Sequence, residues 1–109
     1  MSEKAIKQKL DRGIKALQAK DLAIFKWSPF GGAYGGQAGM PDRMVIAGGR
    51  VIAIECKARE DLQPTSLQAL RLYQIADAGG YSLLVNSDAS IKQALTLIEG
   101  LANKRTEND

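Results

Sequence analysis

An α/β fold, with helices on the faces of a mixed sheet, follows from three features of this chain. Ile6, Leu10, Ile14 and Leu17 recur near the start at helical spacing and so share one apolar arc. Two runs rich in β-branched residues flank Gly48-Gly49, the pattern of a hairpin whose tight turn needs positive φ angles. A short apolar run, Tyr81 to Asn86, stands between two further helical patterns. The order helix, three strands, helix, strand, helix implies a mixed sheet covered by helices.

The first helix is expected from about Ser2 to Ala19, with Lys4, Arg12 and Lys15 opposite the apolar arc, and Asp21 closes that region. Ala23 to Trp27 reads as a strand. It enters Ser28 to Pro41, which holds five glycines, two prolines and no charge and reads as a long loop. The hairpin runs from Asp42 to Ala47, turns at Gly48-Gly49, and returns from Arg50 to Lys57. Pro64, Thr65 and Ser66 announce a second helix to about Ala78, closed by Gly79-Gly80. Tyr81 to Asn86, bounded by turn signals, reads as an interior strand. Ser87 or Asp88 can cap a third helix, in which Ile91, Ala94, Leu95, Ile98 and Ala102 form one arc. From Asn103 to Asp109 the chain is polar and is expected to fray.

With 109 residues, 45% of them hydrophobic and 25% charged, the chain has room for one core. It reads as a single domain. No apolar run reaches the roughly 20 residues of a membrane span, and the start, MSEKAIKQKL, is charged where a signal peptide would be apolar. A cytoplasmic, non-secreted protein is the expectation. The single cysteine, Cys56, has no internal disulfide partner, and the absence of histidine removes a histidine dyad and the usual zinc sites. Chemistry must then rest on carboxylates, Lys, hydroxyls or an oxygen-bound metal. The net charge of +3 permits a polyanionic partner without demanding one. Its excess is N-terminal: residues 1–20 carry six basic and two acidic side chains.

The informative constellation is Asp42 on one side of the hairpin and Glu55 with Lys57 on the other. Alternation puts Glu55 and Lys57 on one face of their strand. Asp42 lies seven residues before Gly49 and Glu55 six after it, so both carboxylates come to similar depth on neighbouring strands. Two carboxylates brought together repel unless a proton or a cation intervenes, and a hard divalent ion bound by oxygens is the usual remedy. Lys57 beside them can orient or deprotonate a water, or stabilise a developing anion. This is what phosphodiester hydrolysis needs, without histidine. The plainer alternative is a turn-capping Asp42 and an exposed cross-strand charge pair. Two residues weigh against it. Glu3 projects between Leu10 and Ile14 on the apolar arc, where a carboxylate is costly unless it meets a cation, although a helix start also favours it. Gln68 falls between Leu72 and Ile75 on the inner arc of the second helix, and a Gln there needs partners: a catalytic side chain, a water, or a strand end.

Gly39-Met40-Pro41-Asp42, then Ile54-Glu55-Cys56-Lys57-Ala58, then Ser66-Leu67-Gln68 on a helix ending in Gly79-Gly80, followed by the Tyr81 to Asn86 run, together resemble the VRR-NUC family of the PD-(D/E)XK nuclease superfamily. The resemblance covers roughly residues 3 to 87 and is nearest to the stand-alone members found in phages and mobile elements. It implies a minimal restriction-endonuclease-like αβββαβ core, here with an additional C-terminal helix, and a nuclease dependent on Mg²⁺ or Mn²⁺. Carried over by position, Asp42 and Glu55 match metal ligands, the Cys56 backbone carbonyl completes the shell, and Lys57 matches the residue that positions or activates water. Glu3 and Gln68 match accessory positions, Glu3 as a further candidate ligand. The stand-alone forms are associated with homodimers that cut branched DNA such as four-way (Holliday) junctions, in repair or recombination. Two opposed nicks are what a two-fold dimer supplies. The alternatives left open are a non-cleaving DNA-binding subunit with the same fold, and a nuclease acting on simple single-stranded or duplex ends.

The glycine stretch contains neither Gly-x-Gly-x-x-Gly nor a Gly-Lys-Ser/Thr ending, so no nucleotide cofactor is expected. Its amides and Tyr34 can instead contact DNA backbone or an unpaired base, and ordinary disorder is the alternative. Trp27 and Phe30 read as core or dimer contacts. Cys56 points away from Glu55 and Lys57 and reads as core. Lys4, Arg12 and the other α-helical lysines read as a solvated face that can also touch phosphates, as can Arg43 and Arg59 nearer the site. Apolar third-helix residues unused by the core are candidates for the dimer face.

Overall fold

The computed structural model describes residues 1–20, 22–29 and 38–108, with side chains as far as 104. Asp21, most of the glycine stretch including Phe30 and Tyr34, and Asp109 lie outside the described residues. The elements are α1 (Glu3–Gln18), β1 (Ile24–Trp27), β2 (Arg43–Ala47), β3 (Arg50–Cys56), α2 (Ser66–Asp77), β4 (Tyr81–Val85) and α3 (Asp88–Asn108). They form an α/β fold around one four-stranded sheet of order β1-β2-β3-β4. The first two pairings are antiparallel and β3 pairs with β4 in parallel, which is why α2 is needed as a crossover between them. No helix among the described residues is long and apolar enough to cross a membrane.

Each helix begins where a side chain can satisfy an orphan amide. Ser2 Oγ accepts from the Ala5 N–H, Thr65 Oγ1 from that of Gln68, and Ser87 Oγ from that of Ser90. Ser87 therefore caps α3, while Asp88 in its first turn meets Lys9 at 3.0 Å. The hairpin turn is as expected, with φ of 57° at Gly48 and 82° at Gly49.

The pleat divides the sheet into two faces. On one, Val45, Ala47, Ile52, Ile54, Cys56 and Val85 pack with Ile6, Leu10, Ile14 and Leu17 of α1 and with Ile91, Ala94, Ile98, Leu101 and Ala102 of α3. Burial of these side chains is the main force holding the fold, at ~25 cal/mol per Å² of apolar surface removed from water. The two helices approach so closely that a Cβ on Gly13 would run into the Leu95 side chain. On the other face lies α2, which has no buried residue; Ser82 Oγ fastens it by donating to the Leu72 carbonyl at 2.6 Å.

One expectation is corrected here. The interior strands are β2 and β3, the latter buried without interruption from Ile52 to Cys56, whereas Tyr81 to Val85 is an edge strand with only Val85 buried. A short apolar run is compatible with either position, and α2 lies only lightly over β4. The helical backbone of α3 is assigned as far as Asn108; polar Asn, Lys, Arg and Glu continue a helix at little cost once it has nucleated. Of the apolar residues of α3, Ile91, Ala94, Ile98, Leu101 and Ala102 are in the core, and Leu95 and Leu97 are partly buried against it. Large exposed apolar side chains sit instead on α2 (Leu67, Leu70, Tyr73) and on β1, where Phe25 is 62% exposed and its ring centroid lies 5.8 Å from that of Trp27.

Candidate active site

Arg43 faces Ile54 in the ladder, so Asp42, one residue before β2, comes level with Glu55 on β3. The short Gly48-Gly49 turn sets that register, and alternation carries Glu55 and Lys57 to the α2 face together. Asp42 is fixed from three sides. Its Oδ2 accepts from the Cys56 N–H at 2.8 Å, its Oδ1 meets Lys7 Nζ at 3.2 Å, and its carbonyl accepts from Arg43 Nη1 at 2.8 Å.

Glu55 is the one buried charged residue recorded in the described core, 1% exposed. Its Oε2 lies 3.6 Å from Lys57 Nζ, and its Oε1 has no hydrogen-bond partner among the described residues. Loss of hydration, followed by the charge of Asp42, pushes its pKa up to about 7, with Lys57 opposing. An unpaired buried carboxylate oxygen beside a second carboxylate is what a cation would relieve. No group of three or more His, Cys, Asp or Glu side chains able to hold a metal occurs among the described residues. The two carboxylates that the register brings level, Asp42 and Glu55, are of the donor type that suits a hard divalent ion.

Lys57 is tethered beyond Glu55: its Nζ donates to Gln68 Oε1 at 3.0 Å. The same oxygen accepts from the Thr65 N–H at 2.9 Å. Gln68 is therefore half-exposed at the start of α2 rather than on a buried arc, where it closes a Thr65-x-x-Gln68 capping box. That box was readable as a sequence motif. Its effect is to aim one amide oxygen at Lys57.

Glu3 does not aim at the core. It is half-exposed and reaches the site only through Lys7, whose ammonium spans Glu3 Oε2 and Asp42 Oδ1 at 3.2 Å each. Burial alone would lower the Lys7 pKa, but its bonds to Asp42 and Glu3 outweigh this and raise it. Lys7 is the site residue that sequence reasoning missed. Its i,i+4 spacing from Glu3 was the available signal.

Arg43 also differs from expectation. Alternation turns it to the α1 face, where Asp11 grips it with a fork at 2.8 and 2.9 Å and takes Lys26 at 3.0 Å. The guanidinium, 17% exposed, thus positions Asp42 instead of facing a phosphate. Burial would raise the Asp11 pKa, yet the Arg43 and Lys26 bonds outweigh it and lower it. Arg59 is exposed and holds Asp61 at 2.9 Å, and Lys4 and Arg12 are exposed on α1, none of them in contact with the carboxylates. Tyr34 lies outside the described residues. Cys56 is buried in the core as expected, and desolvation, then the charge of Asp42, pushes its thiol up to about 12. A pocket of about 400 Å³ lined by Arg50, Ile75 and Gly79 opens at the far end of β3, away from all of these groups.

The end of the glycine stretch is clamped to α2. Gly39 has φ of 78°, and a Cβ there would meet Leu67, while Arg71 Nε donates to the Ala38 carbonyl at 3.1 Å. With Pro41 buried, this delivers Asp42 to its place. Comparison of the chain with protein-family models, with curated proteins and with solved structures finds no match, so the likeness to VRR-NUC nucleases rests on the residues themselves.

Proposed function

We propose that this chain is a divalent-metal-dependent, structure-selective DNA endonuclease that hydrolyses phosphodiester bonds in branched DNA such as four-way junctions, acting as a homodimer with Mg²⁺ or Mn²⁺. The observation that carries the reading is Glu55, a buried carboxylate with an unpartnered oxygen, level with Asp42 and sharing its face with Lys57. A buried carboxylate oxygen left without a partner beside a second carboxylate supports a cation-binding role for the pair.

Asp42, Glu55 and the Cys56 carbonyl would hold the ion. Bound there, it supplies Lewis acidity toward a phosphate oxygen and lowers the pKa of a water. Lys57 has three N–H donors, of which one goes to Gln68 while Glu55 lies at ion-pair distance, so donors remain for a water or a phosphate oxygen. Gln68 holds that ammonium in place, so positive charge meets the charge developing on the phosphate without reorganisation. Asp11 and Arg43 keep Asp42 in register from behind. The dimer and the preference for branches are supported by the resemblance, by the two-fold logic of paired nicks, and by the exposed apolar residues of α2 and β1.

The test is a panel of four-way, flap, single-stranded and duplex DNAs incubated with each metal and with EDTA, with cut positions mapped. Paired symmetric nicks near the junction centre, lost in EDTA and lost in Asp42→Asn and Lys57→Met at unchanged folding, are expected. Salt-sensitive binding without products would replace this reading with that of a binding subunit. Light scattering tests the dimer.

A further inference from the structure

Lys7 has an unusual position for a surface lysine. It lies on α1, yet its ammonium sits on a carboxylate at the end of the sheet, 3.2 Å from Asp42 Oδ1, while Glu3, one helical turn earlier, holds it from the other side at the same distance. Asp42 Oδ2 is already committed to the Cys56 N–H. Oδ1 is the oxygen left for a shared cation, and Lys7 covers it. The neighbouring Glu55 Oε1 has no partner among the described residues.

We propose that Lys7 is a displaceable resident counter-ion of the metal centre: it neutralises Asp42 until a divalent cation arrives, then gives up Oδ1 and stays on Glu3. This inference rests on the metal-centre reading above and adds to it a competition that sets the affinity for the ion. Glu3 then acts as the resting place of Lys7 rather than as a ligand. A half-exposed ammonium–carboxylate contact is weak enough to be displaced by an ion of twice the charge. Lys7 is a positioning residue in this scheme.

Calorimetric titration of the whole chain with Mn²⁺ alone tests it, with thermal unfolding as a check on folding. Lys7→Gln should bind Mn²⁺ about 2- to 5-fold more tightly at low ionic strength, the range expected from losing one such contact, and Lys7→Arg should not. Glu3→Gln, which removes the resting place, should weaken binding in the native background and have no effect in the Lys7→Gln background. Weaker binding by Glu3→Gln in both backgrounds would make Glu3 a ligand and overturn the inference. Unchanged affinity in Lys7→Gln, with tight binding by the native chain, would overturn the inference and leave the metal centre standing. A native chain that binds no Mn²⁺ would overturn the metal centre itself.

Discussion

Replacing Glu55 by Gln should stabilise this protein, and the size of the gain should depend on pH. The ionised carboxylate is 1% exposed, with one 3.6 Å ion pair and one unpartnered oxygen. Desolvation, then Asp42, raises its pKa from 4.5 to about 7. At ~1.4 kcal/mol per tenfold change, that difference corresponds to about 3 kcal/mol in favour of the protonated form. Because the folded value lies above the unfolded one, the stability Glu55 contributes is full below pH 4.5 and is lost as pH rises through about 7. A Gln of the same shape resembles the protonated form and so avoids that loss, the opposing attraction of Lys57 being already contained in the raised value. The variant should therefore exceed the native protein by roughly 1–3 kcal/mol at pH 8 in EDTA, about 5–15 °C in Tm for a domain of this size, and match it near pH 4. Urea unfolding at both pH values measures this. Adding Mn²⁺ at pH 8 should then close the gap by stabilising only the native chain. A less stable variant at pH 8, or an equal gain at both pH values, would refute the reasoning.

Two further outcomes follow from the supports around Asp42. Asp11 has a folded pKa below its unfolded value, so its contribution is present above about pH 4 and is lost as pH falls through the depressed value. Asp11→Asn should cost about 1–3 kcal/mol at pH 7 and progressively less in acid, measured by urea unfolding across pH 2 to 7. Gly39→Ala forces a Cβ onto Leu67 at a φ of 78°; it should cost about 1–3 kcal/mol and, by moving Asp42, weaken Mn²⁺ binding in calorimetry more than Gly79→Ala, which is also at positive φ but meets nothing within 4 Å.

The hairpin was the most legible part of the chain. Two glycines at the turn and strict alternation were enough to place Asp42 level with Glu55 and to put Lys57 on the same face, because a turn of that length admits one register. The α1 arc was equally plain: all four of its residues are buried. What escaped depended on contacts between elements far apart in sequence. The helical periodicity that located Ile6 and Leu10 left Lys7 as one more basic residue, since only the packing of α1 over the sheet brings it to Asp42. Arg43 adjoins Asp42 in sequence, yet alternation turns its side chain to the opposite face, where Asp11 holds it. The edge position of β4 was not readable from its apolar run, as its exposure is decided by how lightly α2 covers it.

The Gly48-Gly49 turn has a consequence for which changes of length the chain can absorb. Side chains on β3 alternate with a period of two, so one residue inserted at the turn and resolved as a slip of register would carry Glu55 and Lys57 to the face now held by Ile54 and Cys56. Both charges would then press into the packing of α1 and α3, and the apolar residues would face α2. Two inserted residues would restore the faces while moving Glu55 one pleat away from Asp42. Variants of this chain should therefore keep the spacing of Asp42 and Glu55 unchanged.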